Sequence, residues 1–372
     1  MSVVIEDAGA APDGVPASTQ PVNIKPLLRL MVEKRASDLF FSPNAPIKVK
    51  IEGQIYPVNK QVLNVEQVRQ AAFGLMTPAQ LAQFERDQEI DFAVSEAGLG
   101  RFRVNVFRQR GNPAMVMRYI AVRIPRLHDL GLPETVNELM SHKRGLVLVV
   151  GSTGSGKSTT VAAMLNHRNE NYSEHIVTIE DPVEFLHANK RSIVNQREVG
   201  IDTKSYDHAL RSVLRSAPDV VMIGEIRDRE TMQAAINLAG VGHLVVATLH
   251  ANNAPETLDR IINMFPREYH HQLLMDLSQY LRAIVAQRLV AGVDGRRVAA
   301  VEVMLNTSHI ADLVRKGDIV GLKEAISASN ERGVQSFDAA LYKLVREGRI
   351  PIEEALSHAD SRSNLEARIN FG

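Results

Sequence analysis

The sequence predicts a two-domain α/β protein, in which a small α+β domain precedes a larger domain built on a parallel sheet. The larger domain is indicated by continuous apolar runs, typical of strands buried on both faces, that alternate with helical patterns. These runs are residues 146–150, 176–179, 220–223 and 244–247. The smaller domain is indicated by strict apolar–polar alternation at 47–52 and 101–106, typical of half-buried strands. Two prolines and a glycine between 124 and 133 indicate a linker.

The chain of 372 residues therefore divides into four segments. Residues 1–22 are rich in Ala, Pro, Gly and Ser, and we expect them to form a disordered tail. Residues 23–124 form the small domain, which has an antiparallel sheet, and residues 125–135 form the linker. Residues 136–372 form the larger domain, which ends in short amphipathic helices from about residue 306.

The composition excludes several classes of protein. Lys+Arg and Asp+Glu are equal at 43 each, so a neutral chain offers no general attraction for nucleic acid or an anionic membrane. The absence of cysteine excludes disulfides and cysteine-based zinc sites. The aliphatic runs are far shorter than the roughly 20 residues of a transmembrane helix, and the N-terminus lacks the pattern of a signal peptide. We expect a cytoplasmic protein without a transmembrane segment.

The first apolar run of the larger domain leads into a phosphate loop. Its residues are Gly151, Ser152, Thr153, Gly154, Ser155, Gly156, Lys157, Ser158 and Thr159. Glycines let backbone N–H groups turn inward around phosphates, and the N-terminus of the following helix favours an anion. In such loops the lysine, here Lys157, reaches the β- and γ-phosphates, while the Ser158 hydroxyl ligates Mg²⁺. The sequence therefore predicts an ATP-hydrolysing protein that uses Mg²⁺.

Acidic residues follow two further apolar runs. Because the carboxyl ends of parallel strands meet at one edge of the sheet, we expect these residues to lie near the phosphate loop. Glu225 follows the third run and can orient water or the Mg²⁺ shell, although a glutamate there can also be a helix-dipole partner. Glu180, Asp181 and Glu184 follow the second run and either hold Mg²⁺-bound water or form a solvated loop. The predicted Mg²⁺ contacts are Ser158, Glu180 and Glu225, partly through water.

Two histidines bracket the fourth apolar run. The rise of a strand places His243 and His250 about 23 Å apart, so both cannot reach one phosphate. We expect His250, at the carboxyl end, to sense the γ-phosphate. His243 is expected to be structural.

The small domain contains a hairpin rich in arginine. If the hairpin is symmetric about Gly111, Arg103 and Arg118 lie opposite each other on one face. Directly opposed like charges are destabilising, and an anion or a carboxylate between them would remove that cost. Since phosphoryl transfer is accelerated by an arginine supplied in trans, this face is predicted to reach the ATP of a neighbouring subunit. A solvated basic face is the alternative.

Together these motifs resemble the secretion ATPase superfamily of type II secretion and type IV pilus machines, over about residues 23–372. Beside the phosphate loop, the resemblance rests on three boxes. They are an acidic box at 178–184, a Walker B motif at 219–225 and a histidine box at 242–250.

The resemblance implies a PAS-like N-terminal domain, a RecA-like P-loop ATPase domain and a homohexamer. It implies mechanical work on a pilus through an inner-membrane platform protein, by an ATPase docked peripherally at that membrane. Glu225 matches the catalytic glutamate and Glu180 the acid of the acidic box. Arg103 and Arg118 match a pair of arginines that cross to a bound nucleotide.

Within the superfamily, the short N-terminus and the lack of cysteine are unlike the extension ATPases, which leaves the PilT/PilU family of pilus retraction ATPases. Stretches at 38–41, 265–272 and 354–360 favour its accessory branch, which acts with a PilT-type ATPase, over the principal retraction ATPase. Arg211 and Arg215 match further arginines beside the boxes. A RecA-type nucleic-acid motor is disfavoured by neutral charge and few aromatic residues. A scaffold that binds ATP without hydrolysis is disfavoured because each box is intact.

Overall fold

The computed structural model describes residues 22–51, 53–120, 124–329 and 331–371. The tail predicted at residues 1–22 lies outside this range except for its last residue. The chain divides into two compact units, residues 1–122 and residues 123–372, which we describe separately.

The first unit is an antiparallel sheet with helices on one face. Its helices are α1 (Ile24–Glu33), α2 (Val65–Phe73) and α3 (Pro78–Asp87). Its strands are β1 (Asp38–Phe41), β2 (Pro46–Ile51), β3 (Gln54–Val62), β4 (Glu89–Glu96), β5 (Gly100–Gln109) and β6 (Asn112–Ile120). The described residues form six strands in the order β3-β2-β1-β6-β5-β4. The α+β domain expected from the alternating patterns is therefore present.

Alternation along the strands gives this sheet two unlike faces. Phe102, Val104 and Val106 of β5 are fully buried and pack with Met31 of α1 and Phe84 of α3. The intervening residues of β5, which include Arg103, point to the opposite face. The arginines predicted from the hairpin therefore lie on the face that the helices leave open.

The second unit is built on a mixed sheet. Its strands are β7 (Gly145–Val150), β8 (His175–Glu180), β9 (Ile193–Glu198), β10 (Val220–Ile223), β11 (Leu244–Leu249), β12 (Leu281–Ala291) and β13 (Arg297–Leu305). Its helices are α4 (Thr135–Leu139), α5 (Lys157–Asn171), α6 (Tyr206–Val213), α7 (Arg229–Gly240), α8 (Ala254–Asn263), α9 (His270–Tyr280), α10 (Ser308–Lys316), α11 (Ile319–Ala328), α12 (Phe337–Arg346), α13 (Ile352–Ser357) and α14 (Arg362–Phe371). A 3₁₀ turn at Leu127–Leu130 precedes them, with Leu127 buried in the core of this unit.

The strands of this unit pair in the order β13-β12-β7-β11-β10-β8-β9 among the described residues, and all pairs except β12–β13 are parallel. All six residues of the central strand β7 are buried. Leu146, Leu148 and Val150 face one apolar core, while Val147 and Val149 face the other. This confirms the prediction that the continuous apolar runs are strands covered on both faces.

Three of the described strands of this second unit were not predicted from the sequence. β9 reads Ile-Val-Asn-Gln-Arg-Glu and lies at one end of the sheet, where its exposed side chains break the apolar pattern. β12 and β13 form a hairpin that extends the other end with an antiparallel pair. The fold class is α/β as predicted, with helices from residue 308 onward completing the unit.

Glu302 on β13 is a buried carboxyl, 4% exposed. Its Oε1 accepts a hydrogen bond at 2.8 Å from the backbone N–H of Ala254, the first residue of α8. Burial raises the pKa of Glu302 to about 7, and the negative charge of Asp360 acts in the same direction. Ionisation of this group therefore opposes folding.

We expect a Glu302→Gln variant to gain stability relative to the wild type as the pH rises from about 4.5 to about 7. The pKa of Glu302 is higher in the folded state than in the unfolded state. The neutral carboxyl therefore contributes its full stabilisation below the unfolded-state pKa of 4.5, and this contribution is lost as the pH rises through the folded-state pKa of about 7. Glutamine keeps the acceptor for Ala254 and has no charge to lose.

The measurement is the melting temperature at each pH, followed by circular dichroism. Glu366→Gln removes a carboxyl that is exposed on α14 and serves as the matched control. A difference in melting temperature between Glu302→Gln and wild type that stays constant over this pH range would contradict the expectation.

Candidate active site

The phosphate loop links β7 to α5 and has no room for side chains at two of its glycines. Gly156 has a φ of +91°, and a Cβ there would lie 2.7 Å from Nε2 of Gln287. A Cβ on Gly151 would lie 2.5 Å from the backbone oxygen of Gln287. Glycine is thus required both by the left-handed backbone and by the close approach of β12.

The N-terminus of α5 is open to an anion. Its N-cap is Gly156, which has no side chain to occupy the free N–H groups of the first turn. The buried Ser155 hydroxyl oxygen lacks a hydrogen-bond partner within the described residues. Backbone donors without partners and a helix dipole directed at the loop fit a phosphate group. The Ser158 side chain follows in the first turn and is exposed.

The side chain of Lys157, the first residue of α5, folds back onto the phosphate loop. Its Nζ donates to the carbonyl oxygens of Gly151 at 2.7 Å and Ser152 at 2.9 Å. Nζ also lies 3.4 Å from Nδ1 of His250 at the end of β11. Burial lowers the pKa of Lys157, while the charge of Glu225 opposes that shift. The lysine therefore spans the mouth of the loop.

Glu225 connects to the loop through His250. Oε1 of Glu225 lies 2.7 Å from Nε2 of His250, so an imidazole protonated at Nε2 donates to the carboxylate and accepts from Lys157 at Nδ1. Oε2 of Glu225 accepts from Nε of Arg227 at 2.6 Å, and Nη1 of Arg227 lies 3.3 Å from Asp181. These contacts join the ends of four parallel strands, which is the convergence that the sequence predicted.

Glu180 is the most enclosed of the predicted acidic residues, 5% exposed. It accepts hydrogen bonds from the Thr178 hydroxyl at 2.6 Å and from Nε2 of Gln196 at 3.1 Å. Burial raises its pKa, which these two hydrogen bonds oppose. Within the described range, no three acidic or histidine side chains form a group that could hold a metal ion. The Ser158 hydroxyl and the carboxylates of Glu180 and Glu225 are oxygen ligands of the kind that Mg²⁺ takes, directly or through water, beside the oxygen atoms of a nucleotide.

Two residues of this edge were missed by the sequence analysis. Arg227 donates to Oε2 of Glu225. The sequence feature that could have identified it is its position two residues after Glu225, in Glu225-Ile-Arg-Asp. Gln287 is buried on β12, where its Oε1 accepts from the Thr160 hydroxyl at 2.7 Å. Its signal was the polar pair Gln287-Arg288 between two apolar runs, 283–286 and 289–291.

Three further residues named in the sequence analysis are not part of the phosphate loop. His243 stands at the opposite end of β11, with Nδ1 2.8 Å from the carbonyl oxygen of Pro218, which agrees with a structural part. Arg211 forms an exposed ion pair with Asp207 on α6. Arg215 lies in the 3₁₀ turn after that helix and is exposed.

The hairpin arginines have the register that the sequence predicted. Arg103 of β5 is directly opposite Arg118 of β6. Each is paired with a carboxylate: Nη2 of Arg103 lies 3.0 Å from Asp91, and Nε of Arg118 lies 2.8 Å from Asp38. The like-charge repulsion between the arginines is thus offset by acidic neighbours on the same face.

A parallel sheet with a phosphate loop after its central strand, and a glutamate and a histidine at adjacent strand ends, defines a P-loop nucleoside triphosphatase. Residues 17–365 match the profile of the family described as Type II/IV secretion system protein. The chain belongs to this family, and within it to the PilT/PilU ATPases.

The relatives that support this assignment match nearly the whole chain. The "Type IV pilus ATPase PilU" of Pseudomonas aeruginosa is 51% identical, over 93% of this chain and 91% of its own. The "Type IV pilus retractation ATPase PilT" of the same organism is 39% identical, over 92% of this chain and 100% of its own. A crystal structure of the pilus retraction motor PilT with bound ADP is also 39% identical, with a TM-score of 0.87 over 93% of this chain and 99% of that one. The predicted family and fold class are confirmed.

The described part of the chain includes no helix that is both long and apolar enough to span a bilayer.

We expect Gly156→Ala to raise the Kd for nucleotide by about tenfold or more, equivalent to a loss of ~1.4 kcal/mol of binding free energy. The new methyl group would meet Gln287 and displace either that side chain or the loop. Gly154→Ala is the matched control, because Gly154 also has a positive φ but nothing lies within 4 Å of its Cβ position. Titration with a fluorescent ATP analogue measures both. Equal losses for the two variants would show that backbone strain, and not the approach of Gln287, decides the effect.

Proposed function

We propose that this protein is an ATPase motor that powers or assists retraction of type IV pili, and so twitching motility. We further propose that it is of the PilU type and acts with a PilT-type ATPase. The observation that carries the hydrolytic activity is the unbroken series of contacts from Lys157 through His250 to Glu225. The sequence identity is higher to PilU than to PilT, which supports the proposed accessory role beside a PilT-type ATPase.

Each side chain at the loop has a proposed task with ATP as substrate. Lys157 exchanges the carbonyl oxygens of Gly151 and Ser152 for the β- and γ-phosphates. Glu225 orients the attacking water, and His250 fixes the carboxylate and reports whether the γ-phosphate is present. Glu180 orders water near the same edge.

Mg²⁺, when it accompanies ATP, neutralises charge on the phosphates. We propose that it would be held by the Ser158 hydroxyl, with Glu180 and Glu225 acting partly through water. The exposed serine hydroxyl in the first turn of α5 supports this assignment.

The assembly we propose is a homohexamer in which Arg103 and Arg118 of one subunit reach the nucleotide of the next. The open face that carries both arginines supports this arrangement. We propose that residues 23–124 and 136–372 turn about a linker at 125–135 when ATP is hydrolysed. The motor would lie in the cytoplasm, docked at the inner membrane on a pilus platform protein.

We expect Glu225→Gln to lower kcat for ATP hydrolysis by at least about a hundredfold while ATP binding stays close to that of the wild type. Glutamine keeps the size of the side chain but cannot accept a proton from water. Glu230→Gln, an exposed residue in the first turn of α7, is the control and should leave kcat unchanged. Steady-state hydrolysis and nucleotide titration give the two quantities. Hydrolysis at the wild-type rate by Glu225→Gln would refute the proposed catalytic part.

The coupling to pili is tested in cells. Filament retraction and twitching should be reduced when Glu225→Gln replaces the wild type beside a PilT-type ATPase. Full retraction with the variant would mean that ATP hydrolysis here is not needed. Retraction by this protein without a PilT-type partner would instead favour the principal retraction ATPase.

We expect mixed assemblies to show that Arg118 acts in trans. Arg118→Ala and Glu225→Gln subunits should each be strongly impaired alone but retain measurable hydrolysis, whereas a random equimolar mixture would restore about a quarter of the interfaces. Those interfaces combine an intact loop from one variant with an intact hairpin from the other. The control is the Arg118→Ala/Glu225→Gln double variant, which should restore no activity when mixed with either single variant, because no interface then combines an intact loop with an intact hairpin. Hydrolysis in the mixture that does not exceed that of the single variants would place Arg118 and Glu225 in the same site of one subunit.

A further inference from the structure

The open face of the first sheet carries a row of charged residues across four neighbouring strands. Asp38 of β1 is opposite Lys50 of β2 on one side and opposite Arg118 of β6 on the other. Arg118 is in turn opposite Arg103 of β5. The row therefore reads positive, negative, positive, positive. Asp38 is the member that lies between two cations.

The guanidinium of Arg118 contacts Asp38 through its Nε atom alone. Its Nε donates to Oδ1 of Asp38 at 2.8 Å, and its side chain is 60% exposed. Its two terminal nitrogens have no hydrogen bond to another described residue. Two parallel N–H groups at the end of a guanidinium match the geometry of a phosphate. The contact with Asp38 through Nε thus leaves both terminal nitrogens of the exposed Arg118 side chain available to an anion.

Asp38 is itself fixed. Its side chain is 6% exposed, and its second oxygen, Oδ2, accepts from the Ser37 hydroxyl at 2.8 Å. A carboxylate that is buried and bonded at both oxygens has one orientation available to it. An arginine bound to such a group loses less freedom when it meets an anion, because its direction is already set.

The neighbouring arginine provides the contrast. Arg103 contacts Asp91 through Nε at 3.3 Å and Nη2 at 3.0 Å, and the Asp91 side chain is 47% exposed. This contact is two-point, but it uses one terminal nitrogen of Arg103, and because Asp91 is itself half-exposed, solvent and salt weaken the pair. The two arginines therefore have partners of the same chemistry but of opposite burial.

We propose that Asp38 is a positioning residue that aims the terminal nitrogens of Arg118 at the phosphates bound by a neighbouring subunit. The proposal rests on the proposed function, in which Arg118 acts in trans. Asp38 touches neither substrate nor water in this role and acts only through Arg118. Asp91 has no equivalent effect on Arg103, because its side chain is half-exposed and its contact takes up a terminal nitrogen of Arg103.

The test is steady-state ATP hydrolysis by the assembled full-length protein. We expect Asp38→Asn to lower kcat by about tenfold with little change in KM, because the missing contact is made in the transition state. Asp91→Asn is the matched control and should stay within about twofold of the wild type. Melting temperatures of both variants show that assembly and folding are kept, and Asp38→Ala repeats the measurement with the carboxyl removed altogether.

A double-mutant cycle separates positioning from a general structural effect. If Asp38 acts through Arg118, adding Asp38→Asn to Arg118→Ala should cause no further loss of kcat. An equal loss in both backgrounds, or wild-type kcat for Asp38→Asn while Arg118→Ala is impaired, would overturn this inference alone. Wild-type hydrolysis by Arg118→Ala would overturn the proposed trans arginine and this inference together.

Discussion

The pairing of β7 with a parallel strand on each side is the constraint on which the second unit depends. Val150 of β7 is level with Leu249 of β11 and with Ala286 of β12. The residues that follow these three positions are therefore brought to one edge of the sheet: the phosphate loop, His250 and Gln287. Because β7 is buried on both faces, any shift of this strand would disrupt the packing of apolar side chains in two cores at once. The site is thus positioned by the apolar packing of the sheet.

The contacts at this edge form a linear series of charged groups. The series begins at Lys157 and passes through His250 to Glu225. It continues through Arg227 and ends at Asp181, so that its charges alternate in sign. Each charged group in this series has a partner at the same edge, which favours defined positions for these side chains. Under the proposed function, a γ-phosphate that attracts Lys157 would break the contact between Lys157 and His250. The same event would alter the hydrogen bonding of Glu225, the proposed catalytic carboxylate. Arrival of the substrate and this change at Glu225 would then be a single exchange of partners.

How much of this could be read from the sequence depended on distance along the chain. The strands β7, β8, β10 and β11 were predicted because each is a local apolar run, and the opposed arginines because a hairpin is symmetric about its turn. The convergence of strand ends at one edge was predicted from the sheet class, whereas individual side-chain contacts between distant segments were not. The hydroxyl of Thr160 and the side chain of Gln287 are separated by 127 positions, and Asp38 and Arg118 by 80. Neither pair has a spacing that a single sequence reveals, and the edge strand β9 is too polar to stand out from a loop.

The close approach of Gln287 to the phosphate loop sets a limit on redesign of this protein. Its backbone oxygen and its amide nitrogen take the space that side chains on Gly151 and Gly156 would need. A side chain at residue 151 therefore requires a different course for β12, and one at residue 156 requires the Gln287 side chain to move. The loop cannot be transplanted or randomised as a cassette from 151 to 159, because the wall of its cradle is supplied by a strand more than a hundred residues away. A library that seeks altered nucleotide preference would have to vary the loop and residue 287 together.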